Sequence, residues 1–402
     1  MIRYVLVIAA LAVVVLGQGE DKRCNERGMV YPDLNVCECA ECFEGDTCEE
    51  EVQDCMVTAT SGSPVFFAEY WIRRELNLSI PADYRLGYYD YVTYSPNASA
   101  SIPGIGHLLA PAIRELHTLY KNVQNPEEYH IVPASGCTAL IAAASYARSK
   151  LMDDATVYAY GHAPYYNGYP QMTDLMPGRV TFSTSTDLDP KKVVEYNPYP
   201  ANPTGELREP VYKDTEALVA FDSVYYWPSL LDIPAPLDED LIFFSSSKFT
   251  GHAGSRFGWA MVKDGALARE MGHYVELTQQ HVSVDVQYLA YTLIRDVIDR
   301  PYELFDTIRS QMITRWERVL QVFGLANDRF TVHSVPGGFY LFLECLSPEE
   351  TDDCTSLFTN HGIMGIPGST FGKSDAFTRH ELVMHTATFE VYMTNLEAAV
   401  LS

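Results

Sequence analysis

Short apolar runs and helix-like repeats alternate along most of the chain. Ile113, Leu116 and Leu119 share one face of a helix predicted over residues 110–120, and the alanine-rich residues 139–147 predict a second helix. Runs rich in apolar residues predict buried strands at 129–132, 156–159, 218–221, 241–244 and 339–343. This alternation predicts an α/β fold, and the helical and then strand-like pattern after Pro301 predicts a second, smaller domain.

The first 17 residues have the pattern of a secretory signal peptide. Arg3 supplies the positive charge, residues 5–16 form an unbroken apolar run, and Gly17 suits cleavage. A transmembrane helix needs roughly 20 apolar residues, so this run is short for a span, although a signal anchor is the alternative. The pattern predicts a mature protein without a membrane segment, secreted or held in the secretory pathway or the vacuolar lumen.

Cysteine spacing supports an oxidising compartment. Six of the nine cysteines crowd into residues 24–55, and they are Cys24, Cys37, Cys39, Cys42, Cys48 and Cys55. Behind a signal peptide they predict three disulfides of open connectivity, with a zinc module at Cys39-x-x-Cys42 as the alternative. Cys345 and Cys354 flank an acidic turn and suit a fourth bridge, which leaves Cys137 as a free thiol.

Length and charge narrow the class of protein. A chain of 402 residues that is 47% hydrophobic suits one large enzyme unit with a small appendage. Its formal net charge of −25 disfavours binding to nucleic acids and to anionic membranes. The predicted domains are a Cys-rich module at 18–56, a large domain at 57–300 and a small domain at 301–402. Asn77 and Asn97 stand in N-glycosylation sequons.

The strongest chemical signal follows the apolar run at 241–244. Ser245 and Lys248 come directly after it, and Arg256 stands in a Gly-rich turn eight residues beyond Lys248. A lysine amine condenses with an aldehyde, and Ser and Arg bind phosphate. The pattern predicts a pyridoxal phosphate site, with a surface lysine in a polar turn as the alternative.

Residues upstream strengthen this hypothesis. Asp222 ends the strand at 218–221, where a carboxylate reaches the ligand crevice of an α/β sheet and can pair with a pyridinium nitrogen. Tyr225, and Asn202 in an Asn-Pro-Thr-Gly turn, can reach the ring hydroxyl.

A strand, a Gly turn and a helix start surround Gly136, Cys137 and Thr138, and this arrangement predicts an anion site. Tyr166, or alternatively Tyr165, follows the strand at 156–159 and can stack on the cofactor ring.

With these residues in view, the chain resembles the alliinase family, which includes alliin lyases and tryptophan aminotransferase-related proteins. The most specific matches are SKFTGHAGSRFGWA at 247–260 and DSVYYWP at 222–228, supported by Glu69-Tyr70-Trp71 and Arg315-Trp316. The resemblance implies a fold-type I pyridoxal-phosphate-dependent transferase. Such an enzyme has a large domain with a mostly parallel seven-stranded sheet and a smaller C-terminal α/β domain.

The Cys-rich module resembles the EGF-like domain at the front of alliinases. That likeness implies the pairs Cys24–Cys37, Cys39–Cys48 and Cys42–Cys55.

The resemblance also assigns roles. It makes Lys248 the Schiff-base lysine and proton shuttle, and it places Arg379 on the carboxylate of a small amino-acid substrate. Tyr94 takes the position of a tyrosine contributed by the partner subunit, which implies a homodimer. The other cofactor-binding residues are those named above: Gly136, Cys137, Thr138, Tyr166, Asn202, Asp222, Tyr225, Ser245 and Arg256. Cys137 in the phosphate loop and the polar pair His380-Glu381 after Arg379 depart from the family pattern.

Three functions remain open at this point. A carbon–sulfur lyase acting on S-alkyl-L-cysteine or its sulfoxide is favoured, because lysis needs one substrate whereas transamination needs a second oxo acid. An aminotransferase of the tryptophan aminotransferase-related type is the first alternative. The second is a secreted EGF-bearing binding protein on an inactive scaffold, which the intact set of cofactor residues disfavours.

Overall fold

The computed structural model describes residues 24–31, 36–72, 106–325, 328–347 and 350–402. The predicted signal peptide, the two sequons and Tyr94 lie outside these residues. The chain divides into two units, Met1–Gln53 and Asp54–Ser402. None of the described helices combines the length and the apolar character needed to cross a membrane.

The first unit consists of two small antiparallel hairpins. β1 (Gly28–Tyr31) pairs with β2 (Val36–Cys39), and β3 (Phe43–Glu44) pairs with β4 (Glu50–Glu51). Disulfides join Cys24 to Cys37 and Cys39 to Cys48, as the family resemblance implied, and Cys42 and Cys55 are disulfide-bonded as well. The sulfur atoms of Cys24, Cys37 and Cys48 lie close together because two disulfides adjoin, so they are not available to a zinc ion.

The second unit is built on a mostly parallel sheet of seven strands, as the resemblance implied. The strands are β6 (His130–Ala134), β7 (Val157–Tyr160), β8 (Val180–Ser183), β9 (Val193–Pro198), β10 (Leu218–Asp222), β11 (Leu241–Ser245) and β12 (Gly258–Val262). Their spatial order is β6-β12-β11-β10-β9-β7-β8, and β12 alone runs antiparallel to its neighbours. β9, β11 and β12 are buried along their whole length, which explains the nearly continuous apolar sequences of β11 and β12.

Helices precede, connect and follow the strands of this sheet. They are α1 (Phe67–Ile72), α2 (Gly106–Tyr120), α3 (Cys137–Leu151), α4 (Gly168–Thr173), α5 (Ser246–Phe249), α6 (Gly265–Gln279), α7 (Val284–Asp299) and α8 (Glu303–Phe323). Alanines of α3 pack with β-strand residues such as Val157 and Val194 in one buried cluster. Small side chains on this helix let its backbone approach the sheet closely and fix the position of its N-terminus.

A second sheet forms from the last part of the chain. It consists of β13 (Phe330–Val332), β14 (Tyr340–Cys345), β16 (Ile366–Pro367) and β17 (Phe377–Glu381), in the order β13-β14-β17-β16. α9 (Cys354–Thr359) and α10 (Thr386–Leu401) pack beside it, and Cys345 forms a disulfide with Cys354. β15 (Ile363–Met364) pairs in parallel with β5 (Val57–Thr58), which ties the start of this unit to its C-terminal part.

Two elements differ instructively from the predicted ones. The strand predicted at 129–132 extends through Pro133 to Ala134, and the sheet tolerates this proline because β6 is an edge strand. β17 was not predicted, because Arg379, His380 and Glu381 lack the apolar character of a buried strand. All three are nevertheless buried, and β17 pairs with both β14 and β16.

Candidate active site

Ten of the predicted site residues line one cavity of about 380 Å³. It is lined by Cys137, Thr138, Tyr166, Asn202, Asp222, Tyr225, Ser245, Lys248, Arg256 and Arg379. Asp222 and Ser245 are the last residues of β10 and β11, so the cavity lies at the carboxyl ends of these parallel strands. This is the edge at which open α/β sheets bind ligands.

Asp222 presents a carboxylate to this cavity and is only 6% exposed. Its Oδ2 atom accepts a hydrogen bond of 3.0 Å from the Tyr169 hydroxyl. Burial raises the pKa of Asp222 to about 6, against the opposing effects of the Tyr169 hydroxyl, the Val224 backbone N–H and the Lys248 ammonium. Its Oδ1 atom is buried and has no hydrogen-bond partner among the described residues. A carboxylate with an unsatisfied oxygen fits the protonated ring nitrogen of pyridoxal phosphate.

Lys248 lies on the short helix α5, directly after β11. The Ser245 side chain caps this helix by accepting a hydrogen bond of 3.1 Å from the Ser247 backbone N–H. The Lys248 Nζ atom donates to the Gly62 carbonyl and lies 5.9 Å from the centroid of the Tyr225 ring. The lysine amine therefore enters the same cavity as Asp222, as a cofactor-binding lysine must.

The opposite end of the cavity suits a phosphate group. Gly136 caps the N-terminus of α3 with a φ of 83°, and Cys137 and Thr138 begin the helix beside the cavity. A Cβ atom on Gly136 would lie 2.7 Å from Nη2 of Arg256, so only glycine allows the guanidinium to approach this turn. Helix N–H groups next to an arginine form an anion site.

Cys137 carries a free thiol, as predicted. Its Sγ donates to the Phe244 carbonyl at 3.1 Å, and burial raises the pKa of this thiol well above its usual value. Cys137 therefore stays protonated and packs at the phosphate end of the cavity as a neutral group.

Arg379 is a buried cation of the site and is 4% exposed. Its Nη2 atom donates to the Thr60 carbonyl at 2.7 Å, and its Nη1 atom donates to Oδ1 of Asn202 at 3.3 Å. The guanidinium stacks on Tyr340, 4.2 Å from the ring centroid. Within the described part of the chain its buried Nε has no partner, which leaves a donor for a substrate carboxylate.

Tyr225 and Tyr340 form a pair of facing hydroxyl groups in the cavity wall. Their oxygen atoms lie 2.9 Å apart. Burial, followed by the proximity of Tyr340, raises the pKa of Tyr225 well above its ordinary value. Both phenols thus serve as hydrogen-bond donors or acceptors, and Tyr225 does not act as a base near neutral pH.

Residues 60–63, named here the strap, were missed by the sequence analysis. Thr60, Ser61 and Ser63 line the cavity, and the Gly62 N–H donates to the Glu381 carboxylate. With a φ of 83°, Gly62 packs so closely on Tyr340 that a Cβ atom would lie 2.1 Å from its hydroxyl oxygen. The sequence signal was a local turn, Ser61-Gly62-Ser63-Pro64, and nothing in it pointed to partners far along the chain. Tyr169, Tyr340 and Glu381 were missed for the same reason.

Solved structures with the same architecture include aspartate aminotransferase from Thermus thermophilus with maleate, at a TM-score of 0.65 and 16% identity. That match covers 86% of this chain and 92% of the other. An aminotransferase from Staphylococcus aureus matches at a TM-score of 0.63 and 16% identity, over 86% of this chain and 94% of the other. The fold is therefore that of the fold-type I enzymes that depend on pyridoxal phosphate.

The comparisons assign the family of the chain as well as its fold. The family model described as Allinase matches residues 57–400, so the chain belongs to the alliinase family, as the sequence motifs indicated. Tryptophan aminotransferase-related protein 3 of Arabidopsis thaliana is 31% identical, over 94% of this chain and 87% of its own length. Alliin lyase 2 of Allium sativum is 26% identical, over 94% of this chain and 85% of its own length. The chain is thus similar to relatives with both names, and it is a pyridoxal-phosphate-dependent enzyme of this family.

Proposed function

We propose that this enzyme is a carbon–sulfur lyase that acts on S-alkyl-L-cysteine or its sulfoxide by β-elimination. The products are pyruvate, ammonia and a sulfur compound. The observation that carries the proposal is the meeting of Lys248, the unsatisfied Oδ1 of Asp222 and the unsatisfied Nε of Arg379 in one cavity. These are the groups that α-proton removal from an amino acid requires.

Pyridoxal phosphate, when bound, takes up the substrate amine and withdraws electrons from the α-carbon. Gly136, Cys137, Thr138, Ser245 and Arg256 would hold its phosphate. Asp222 would face its ring nitrogen, Tyr166 its ring, and Asn202 and Tyr225 its hydroxyl.

The remaining work belongs to the side chains around the substrate. Arg379 binds the substrate carboxylate, because its planar fork offers two parallel N–H donors. The Lys248 Nζ atom removes the α-proton. The strap covers this region of the cavity, since Gly62 contacts both Lys248 and Tyr340.

The choice of lysis over transamination rests on the number of substrates. Lysis consumes one amino acid, whereas transamination also consumes an oxo acid. The disulfides of the chain favour an oxidising compartment, where a steady supply of oxo acid is less available. An aminotransferase of the tryptophan aminotransferase-related type is the second candidate, favoured by the 31% identity to a protein of that name.

Two parallel incubations of the purified full chain separate these functions. One contains an S-alkyl-cysteine sulfoxide alone, and the other contains tryptophan with pyruvate. A lyase releases pyruvate in the first, while an aminotransferase forms alanine in the second. Lys248→Ala in both incubations controls for background reactions. Alanine formation without pyruvate release would overturn the lyase proposal.

We also propose that the enzyme is a homodimer of the secretory pathway. The disulfides support the compartment, and the family resemblance supports the dimer. Light scattering on the purified protein tests the second point, and a monomeric mass in active fractions would refute it.

A further inference from the structure

The position of Asp222 alone stabilises neither the charged form of its carboxylate nor the orientation of its two oxygens. The site requires an ionised carboxylate whose Oδ1 atom faces the cavity, yet the side chain is only 6% exposed and burial favours its neutral form. A carboxylate on a single rotatable stem can also turn its two oxygens. Some neighbouring group must therefore fix its orientation.

The Tyr169 hydroxyl meets both needs. It donates to Oδ2 of Asp222 at 3.0 Å, while Oδ1 finds no partner in the described residues. Hydrogen bonding to an ionised carboxylate favours the charged form. The hydroxyl also distinguishes the two oxygens, because it occupies one and leaves the other for a ligand.

The Tyr169 ring is held firmly enough to act in this way. Tyr169 is fully buried and stacks on Tyr196, with ring centroids 4.9 Å apart and planes at 19°. Tyr166 packs edge-on against it, with centroids 5.5 Å apart. Since Tyr169 follows Tyr166 by three residues, one turn of chain carries both a wall of the cofactor cavity and the partner of Asp222.

We infer that Tyr169 is a positioning residue for the cofactor: through its bond to Oδ2 it keeps Asp222 ionised and keeps Oδ1 directed at the ring nitrogen. It acts through Asp222 and does not itself line the cavity. This inference rests on the proposed role of Asp222 and is independent of whether the reaction is lysis or transamination.

The groups that influence the charge of Asp222 come from several elements. Those that face it are Tyr169 and Tyr166, Tyr196 of β9, Cys137 of α3, Tyr225 and Lys248. Lys248 is the one cation in this set, and its amine is engaged by the cofactor once the cofactor is bound. Tyr169 is a neutral side-chain donor that contacts a carboxylate oxygen directly, so its effect persists in the loaded enzyme.

Tyr169→Phe tests the inference because it deletes one oxygen and keeps the stacked ring. Tyr196→Phe is the matched control. Its hydroxyl is equally buried but bonds to Ser145 at 2.7 Å and to the Ile141 carbonyl at 2.6 Å, not to Asp222. The readouts are the dissociation constant of pyridoxal phosphate, the pH dependence of the visible absorbance of the bound cofactor, and kcat and KM.

For Tyr169→Phe we expect cofactor affinity to fall about tenfold, the size typical of one hydrogen bond to a charged group. We expect the acid limb of the absorbance and kcat profiles to move to higher pH by roughly one unit. Tyr196→Phe should leave the cofactor affinity within about twofold of wild type and should leave the pH profiles in place. If the two variants have the same affinity and the same pH profile, the inference is overturned.

Asp222→Asn separates this inference from the role of Asp222 itself. In that background Tyr169→Phe should add no further loss of affinity, because the two residues act as one unit. If the losses of cofactor affinity in the two single variants added fully in the double variant, the inference would be overturned, even if Tyr169→Phe were poorly folded. An Asp222→Asn protein with wild-type cofactor spectrum and kcat would instead overturn the role given to Asp222.

Discussion

Asp222→Asn is expected to abolish most activity and yet to stabilise the cofactor-free protein at neutral pH. The carboxylate is buried in the folded state, where it pays a desolvation cost that water removes on unfolding. An amide of nearly the same shape avoids that cost. We therefore expect Asp222 to favour cofactor binding while it lowers the stability of the cofactor-free protein.

The magnitude follows from the pKa of Asp222. Burial raises it from 3.8 to about 6 in the folded protein. Each unit of difference between the folded and the unfolded state corresponds to about 1.4 kcal/mol, which gives ~3 kcal/mol in total. Because the pKa of Asp222 is higher in the folded than in the unfolded state, protonation of Asp222 stabilises the wild-type fold. This contribution is fully present below pH 3.8 and is lost as the pH rises through about 6.

Urea unfolding of both cofactor-free proteins between acidic and slightly alkaline pH measures the effect. We compare the free energy of unfolding of Asp222→Asn with that of wild type. The difference, variant minus wild type, should grow by ~3 kcal/mol as the pH rises from 3.8 to above about 6, and it should then stay level. The exposed residue Asp187 supplies a control, since Asp187→Asn should shift stability by less than about 0.5 kcal/mol. A difference between Asp222→Asn and wild type that does not change with pH would refute the reasoning. With saturating cofactor the ranking should reverse, because the ligand stabilises the form that binds it more tightly.

Three further outcomes are expected. Lys248→Ala should lose all measurable turnover and the visible absorbance of the bound cofactor, and residual activity with cofactor attached to another lysine would refute its role. Arg379→Lys should raise KM by at least about tenfold with a smaller change in kcat, because one ammonium cannot replace two parallel guanidinium bonds; an unchanged KM would exclude Arg379 from carboxylate binding. Cys137 should react with a thiol reagent far more slowly than free cysteine near neutral pH, because burial raises its pKa, and it should react more slowly still after cofactor is added. Fast labelling followed by mass spectrometry, unaffected by the cofactor, would contradict its place at the phosphate end.

β10 and β11, and the functional residues at their carboxyl ends, could be predicted from the sequence. β10 and β11 are buried apolar runs, and each is followed within the same short segment by the polar groups that matter, Asp222 and Lys248. In such a case one local pattern reports both the fold and the chemistry.

The rest of the site depends on contacts that no local pattern records. β17 contains buried Arg379, His380 and Glu381, whose polar groups bond to the strap, to Asn202 and to Tyr392. The hydrophobic pattern therefore conceals this strand. Tyr169 was hidden differently, because the chain has 27 tyrosines and only the three-dimensional structure shows which hydroxyl meets Asp222.

The strap also sets the order in which the site can be completed during synthesis. Thr60 bonds to Arg379 and Gly62 bonds to Glu381, and each pair is separated by 319 positions. The strap therefore emerges from the ribosome long before its partners, and a chain that ended before β17 would possess Asp222 and Lys248 without a closed substrate pocket. Contacts of such long range form late and slowly. Retention of the cofactor by a nascent or truncated chain is accordingly a poorer sign of a finished enzyme than the ability to bind a substrate carboxylate.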